Sequence, residues 1–264
     1  IEHASSLSGI ELNDGFGGHM NAKFEEDNFG KILSKEGLHY QKVSEIPTFN
    51  CIKIHGSSNW IGNGTSNEII SDDSLEQVKK INDSLNKICE EQFIDVSDSA
   101  PKAIGDLVNS AQHITKNDSF SIEPYNEFMS EYEKIVMVNP NKRKFSTTVL
   151  DMHFYELLRL YSNALEQPNA LLMVAGFSFA DEHIALMTIR AANNNPTLQI
   201  IVFAYEESAK ETIKENLSKG GSCKNIFVLA PNDVTEDEKS IATLEKFDLE
   251  SITDKILDKI VKSI

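Results

Sequence analysis

Cysteine is scarce in this chain: Cys51, Cys89 and Cys223 are three isolated positions in 264 residues, an odd number with no CxxC pair. A four-thiolate zinc site and a disulfide framework are both disfavoured, which points to a reducing, intracellular and hence cytoplasmic setting with no zinc expected. Long apolar runs are missing too. Nothing approaches the roughly 20 consecutive apolar residues that cross a bilayer, so no membrane span is expected. No charged-then-apolar leader opens the sequence. It starts at Ile1 rather than Met, and so reads as beginning inside a longer protein or after processing. Basic charge is the third shortage. With 25 Lys and Arg against 41 Asp and Glu, the net charge is -16, and the densest basic cluster is Lys142-Arg143-Lys144. Direct nucleic-acid binding by such a surface is disfavoured. Metal-hydrolase and phosphate-loop signatures are absent as well. The seven histidines form no HxxxH or HExxH pair, and neither GxGxxG nor a Walker loop occurs.

What is present is an alternation of strands and helices in the second half. IVMVNP (135–140) reads as a strand stopped by Pro140, and STTVLDMHFYELLRLYSNAL (146–165) as a helix with Ser146, Thr147 or Thr148 as its cap. ALLMVAG (170–176) is a continuous apolar run ended by glycine, the pattern of a strand buried on both faces. A helix over 181–195, a strand over 198–205, a helix ending at Gly220-Gly221, a strand over 224–231 and a terminal helix from 251 complete the series. This order predicts an α/β fold with a doubly wound, mostly parallel, Rossmann-like sheet. Between about 62 and 134, Leu75, Val78, Ile81, Leu85 and Ile88 recur at helical spacing, and PYNEFMSEYEKI reads as another helix. The segment is therefore expected to be a mainly helical insertion between two strands, within one domain spanning 1–264.

Polar residues at three points of this scheme invite a ligand. CIKIHGSSNW (51–60) reads as a strand that ends at His55, with Gly56 and Ser57 behind it and Trp60 as a packing residue. GFSFADEHI (176–184) offers a glycine, a hydroxyl at Ser178 and a helix N-terminus, although Asp181 fits an ordinary helix cap and would repel a phosphate placed against it. VFAYEES puts Glu206 at a strand tip, where a carboxylate accepts hydrogen bonds from ribose hydroxyls, and VLAPND puts Asn232 and Asp233 at another. LNDGFGGHM (12–20) is a glycine-rich loop around Phe16. His153 and His183 fall within helices and read as packing or surface residues.

Taken in order, KIHGSSNW, VNPNKRKF and GFSFADEHI resemble the sirtuin-like domain family, in particular its bacterial branch in anti-phage defence proteins. NDGFGG (13–18) is similar to a loop before the histidine strand in that branch, and the resemblance covers roughly residues 1 to 235. It implies His55 as the catalytic base, Gly56 and Ser57 as the turn beside ribose or nicotinamide, Gly176 and Ser178 near the diphosphate or adenosine ribose, and Glu206 near the adenosine ribose. The four-cysteine zinc module of the family's protein deacylases has no counterpart here. NAD is thus implied as a substrate to be hydrolysed to nicotinamide and ADP-ribose, rather than as partner of a deacylation. The family's first glycine-rich turn and the asparagine that works with the histidine would precede Ile1, so the chain resembles a catalytic domain lacking its first strand-helix units. The implied partners are NAD and a homo-oligomer or larger complex carrying an ATPase or sensor domain. A nucleotide-sensing module and a scaffold in a defence complex stand as the alternatives.

Overall fold

The computed structural model describes residues 10–18, 22–37, 42–62, 68–88, 94, 103–116, 121–138, 152–221, 223–233 and 245–263. Cys89, the basic cluster at 142–144 and the expected caps at 146–148 lie outside these residues. The fold is mixed α/β, and the chain divides into two compact units, Ile1–Phe154 and Tyr155–Ile264.

The first unit is made of short strands. They are β1 (Glu11–Asn13), β2 (Phe16–Gly17), β3 (Lys23–Phe24), β4 (Ser34–Glu36), β5 (Val43–Glu45), β6 (Thr48–Asn50), β7 (Gly56–Gly62), β8 (Ile69–Ser71) and β9 (Ile135–Met137). Five of them form one sheet in the order β2-β3-β8-β7-β9, antiparallel at every pairing, while β1 pairs parallel with β6 and β4 antiparallel with β5. Within IVMVNP, Ile135–Met137 is a strand as expected, but it joins an antiparallel sheet, and Pro140 lies outside the described residues.

An aromatic cluster makes the core here. Trp60 is 1% exposed, its ring centroid 4.5 Å from Phe24, with Phe16 at 5.8 Å and Phe29 lying 6.2 Å from Phe24. Its reading as a packing residue matches this position. Gly15, at φ +90°, lies so close to Phe24 that an added Cβ would come within 2.4 Å of that ring. The glycine-rich loop at 13–18 thus lets backbone pass over the aromatic core.

Among the described residues, the insertion between β7 and β9 contributes β8 and three helices, α1 (Glu76–Leu85), α2 (Ile104–Thr115) and α3 (Glu123–Tyr132). Buried Gln77 ties α1 to α3, donating through Nε2 to the Glu131 carbonyl at 2.7 Å and to its carboxylate at 2.9 Å. Leu75 precedes α1 in the left-handed region and has no capping side chain, so Asp72 supplies the acceptor instead, taking the Gln77 amide at 2.7 Å and the Ser74 hydroxyl at 3.0 Å. The Gln77 amide, as the main cause, holds the Asp72 carboxyl below its ordinary range. A depressed folded-state value means that this contribution is fully present above about pH 4 and is lost as pH falls through the lowered value. Asp72→Ala should cost about 1 kcal/mol at neutral pH, and the difference from wild type in urea unfolding should shrink on acidification.

The second unit follows the sequence closely. Helix α4 (Met152–Leu165), which enters this unit at Tyr155, leads into β10 (Leu171–Ala175), α5 (Glu182–Asn194), β11 (Gln199–Phe203), α6 (Glu207–Ser218) and β12 (Ile226–Leu229). The three strands are parallel and lie in sequential order β10-β11-β12. Successive right-handed crossovers in one direction place both helices on one face. There Val174, Ile200 and Val202 are buried, as are Ile184 and Ile189 of α5 and Ile213 and Leu217 of α6. On the opposite face Phe203 packs with Phe247 and Ile252, flanked by Ile201, Leu229, Ile256 and Leu257. Ile252, Ile256 and Leu257 belong to the terminal helix, which runs as α7 (Leu249–Ile252), a π turn over Thr253–Leu257 and α8 (Asp258–Ser263), and Phe247 lies just before it. That cover stops short of β10, where Leu171 is 58% and Met173 38% exposed. ALLMVAG is thus a strand, but one buried on a single face.

Candidate functional site

The histidine segment departs from its expected form. Cys51, Ile52 and Lys53 are not strand, and Ile54 and His55 form a turn closed by the Gly56 amide donating to the Lys53 carbonyl at 2.9 Å. His55 therefore precedes strand β7 instead of ending one. The cause is Gly56, which sits at φ +74° and passes so close to β9 that a Cβ would lie 2.2 Å from the Val136 carbonyl oxygen. The His55 carbonyl accepts from the Val138 amide at 2.9 Å, so the turn is tied to the end of β9. His55, Gly56 and Ser57 are all half-buried. The Ser57 hydroxyl donates to Asn59 Oδ1 at 2.6 Å, and Asn59 Nδ2 donates to Ser71 Oγ at 3.3 Å across the β7–β8 pair. Asn59 is thus part of a polar network that starts at Ser57.

In the second unit Gly176, Ser178 and Glu206 come together at the carboxyl ends of parallel strands. Gly176 leaves β10 at φ +71°, and nothing lies within 4 Å of the position a Cβ would take. Ala at 176 should thus be strained by its backbone alone. Phe179, 2% exposed and at φ +57°, plugs the turn from below, while Ser178 stays on the surface and its carbonyl accepts from Asn216 Nδ2 at 3.0 Å. Asp181 caps α5, accepting from the His183 amide at 3.1 Å, the ordinary role its sequence suggests. Glu206 stands exposed just before α6, its carboxylate accepting from the Ser208 hydroxyl.

Asp233 differs from the other strand-tip residues. Its carboxylate takes both contacts of Lys210 at 2.7 Å and the Ala230 amide at 2.7 Å. The Lys210 ammonium, as the main cause, holds this carboxyl below its ordinary range. It closes the turn after β12, and its charge is already matched.

A cavity of about 380 Å³ lies beside the start of β12, lined by Leu217, Gly221, Cys223, Ile226 and Val228. It is at the amino end of that strand, away from Gly176 and Glu206. Burial pushes the Cys223 thiol up, which keeps it a poor nucleophile. His153 pairs with Glu26, its ring edge-on to Phe24 at 5.9 Å, a partnership with no signal in the local sequence. Among the described residues no cluster of three or more His, Cys, Asp or Glu is arranged to hold a metal ion, and no helix is long and apolar enough to cross a membrane.

No known protein family and no curated protein matches the chain.

Proposed function

We propose that the chain forms part of a sirtuin-like NAD glycohydrolase of bacterial anti-phage defence, working in the cytoplasm and depleting NAD in infected cells. The observation that carries this reading is the gathering of Gly176, Ser178 and Glu206 at the carboxyl ends of a parallel sheet. That is where open α/β sheets bind nucleotides. In this reading β10–β12 are one half of a Rossmann-like, doubly wound sheet. Gly176 offers its exposed backbone to the diphosphate, Ser178 lies beside it, and Glu206 accepts from the adenosine ribose hydroxyls. His55, with Gly56 and Ser57, serves the nicotinamide ribose.

The chemistry breaks the bond between the nicotinamide nitrogen and the ribose C1′, and the bonding electron pair leaves with nicotinamide. Water adds to C1′, and its proton passes to neutral His55, giving nicotinamide, ADP-ribose and a proton. An imidazole suits this task because its ordinary titration lies near neutrality, and general-base help of this kind contributes about 10²–10⁴-fold. The test is NAD consumption by the full-length protein. His55→Ala should lower nicotinamide release by at least about a hundredfold while NAD binding and the unfolding midpoint are kept. Unchanged hydrolysis removes His55 from the mechanism.

A binding-only role is the second reading, favoured by the placement of His55 ahead of a strand in an antiparallel sheet rather than at a parallel strand's tip. In that case NAD or ADP-ribose would bind and alter the assembly of a homo-oligomer or of a complex with an ATPase or sensor domain. Calorimetric binding of NAD with no nicotinamide release in wild type would select this reading.

A further inference from the structure

We infer that a hydrogen-bond relay from Ser57 through Asn59 and Ser71 to Asp73 holds the Ser57 hydroxyl as a pure acceptor, so that Ser57 selects a neutral N–H or O–H donor on the ligand over an anionic oxygen. The inference rests on the reading of 55–57 as the ligand-facing turn, and it names the chemistry that turn accepts.

The polarity of the relay is fixed from its far end. A carboxylate only accepts, so the Ser71 hydroxyl, 2.6 Å from Asp73 Oδ1, spends its one hydrogen there. Ser71 Oγ is left with lone pairs and takes the Asn59 amide hydrogen at 3.3 Å. That contact sets which way the Asn59 amide faces, turning its oxygen toward Ser57. The Ser57 hydroxyl then gives its one hydrogen to Asn59 Oδ1 at 2.6 Å. Only lone pairs remain on Ser57 Oγ, and the residue is half-buried.

The backbone keeps the relay in register. Trp60 pairs with Ser71 in the β7–β8 ladder, and the Asp72 amide donates to the Asn59 carbonyl at 2.7 Å. Asp72 is itself locked by the Gln77 amide, so the segment carrying Ser71 and Asp73 has little freedom to turn. In chemical terms the selected group is a carboxamide N–H or a sugar hydroxyl. A carboxylate or phosphate oxygen would bring lone pairs against lone pairs. Asn59, Ser71 and Asp73 act as positioning residues, because their influence passes through Ser57.

The experiment measures binding of two matched pairs of small probes to the full-length protein, nicotinamide against nicotinate and ribose against ribose 5-phosphate, by calorimetry and amide chemical-shift change. For at least one pair, wild type should favour the neutral member by about tenfold, the effect of one mismatched hydrogen bond in a half-buried site. Ser71→Ala and Asp73→Asn should bring that ratio close to one with the fold intact, since an asparagine at 73 can donate as well as accept and frees the relay to reverse. Asp73→Glu should restore it. A merely structural role for Asp73 would change both members of a pair equally. Absence of binding by both neutral probes, equal binding of the anions, or an unchanged ratio in Asp73→Asn overturns the inference. Its fate is separable from that of the proposed reaction. Turnover of NAD that depends on His55 without probe selectivity rejects the relay alone, and selectivity without turnover rejects the hydrolase alone.

Discussion

Gly56→Ala should be among the most damaging single substitutions in the first unit, lowering stability by roughly 3 kcal/mol or more. Two penalties coincide there. At φ +74° an L side chain is strained, which alone costs of order 1 kcal/mol. The new Cβ would also meet the Val136 carbonyl oxygen at 2.2 Å, and that oxygen belongs to backbone, which cannot swing aside as a side chain does. Relief requires β7 and β9 to separate where Gly56 pairs with Met137. Gly176→Ala is the control, since it shares the positive φ but meets nothing within 4 Å, and should cost only about 1 kcal/mol. Urea unfolding measures both, followed by the fluorescence of the single tryptophan for Gly56→Ala in the first unit and by helical circular dichroism for Gly176→Ala in the second. Equal costs at the two positions would show that close approach to β9 contributes nothing.

Trp60→Ala should cost about 3–5 kcal/mol, the range for removing a large buried aromatic side chain. The indole sits 1% exposed against Phe24 and Phe16, on the same sheet as the His55 turn. Its Nε1 hydrogen has no acceptor among the described residues. Among the described residues this ring therefore gains packing and no hydrogen bond. Trp60→Phe should accordingly be much milder than Trp60→Ala, because it loses part of the volume but also relieves a desolvated donor. Circular dichroism is the right probe, since both variants lack the fluorophore. A Phe variant as unstable as the Ala variant would mean that the N–H has a partner worth keeping.

The two units were unequally legible in the sequence, for physical reasons. In the second, each strand is an apolar run closed by Gly, Pro or an acidic tip, and each helix before the terminal one carries its own stop. Local signals coincide with the ladder from Leu171 to Leu229. Only the exposure of Leu171 and Met173 escaped, because an apolar run says nothing about how many of its faces are covered. In the first unit most strands are two or three residues long and are set by partners far away in the chain, as when Lys23 pairs with Ile70. Ile52 and Ile54 alternate with polar neighbours as a strand would, yet the strand begins at Gly56. The deciding contact, glycine against the Val136 carbonyl, depends on a residue beyond the whole helical insertion.

The site residues divide along the same line. Asp181 declared its capping role locally. Gly176, Ser178 and Glu206 were found because strand tips are legible wherever strands are. The network beyond Ser57 was invisible, since Asn59 meets Ser71 only through the β7–β8 register, and a polar Ser-Ser-Asn stretch resembles a loop when read alone. The pairing of His153 with Glu26 was equally hidden.

The sequential order of β10, β11 and β12 also bears on how the chain acquires its structure. Each of those strands pairs with the next one along the chain, across a single helix, so its loops close early and at little entropic cost. The antiparallel sheet must instead bring Gly56 to Met137 across the whole helical insertion before its core can exclude water. The second unit is therefore suited to organise fast, and the turn that carries His55 belongs to the slower part. Substitutions around Gly56 and Trp60 should then speed unfolding more than they retard refolding, leaving the order of the parallel layer untouched.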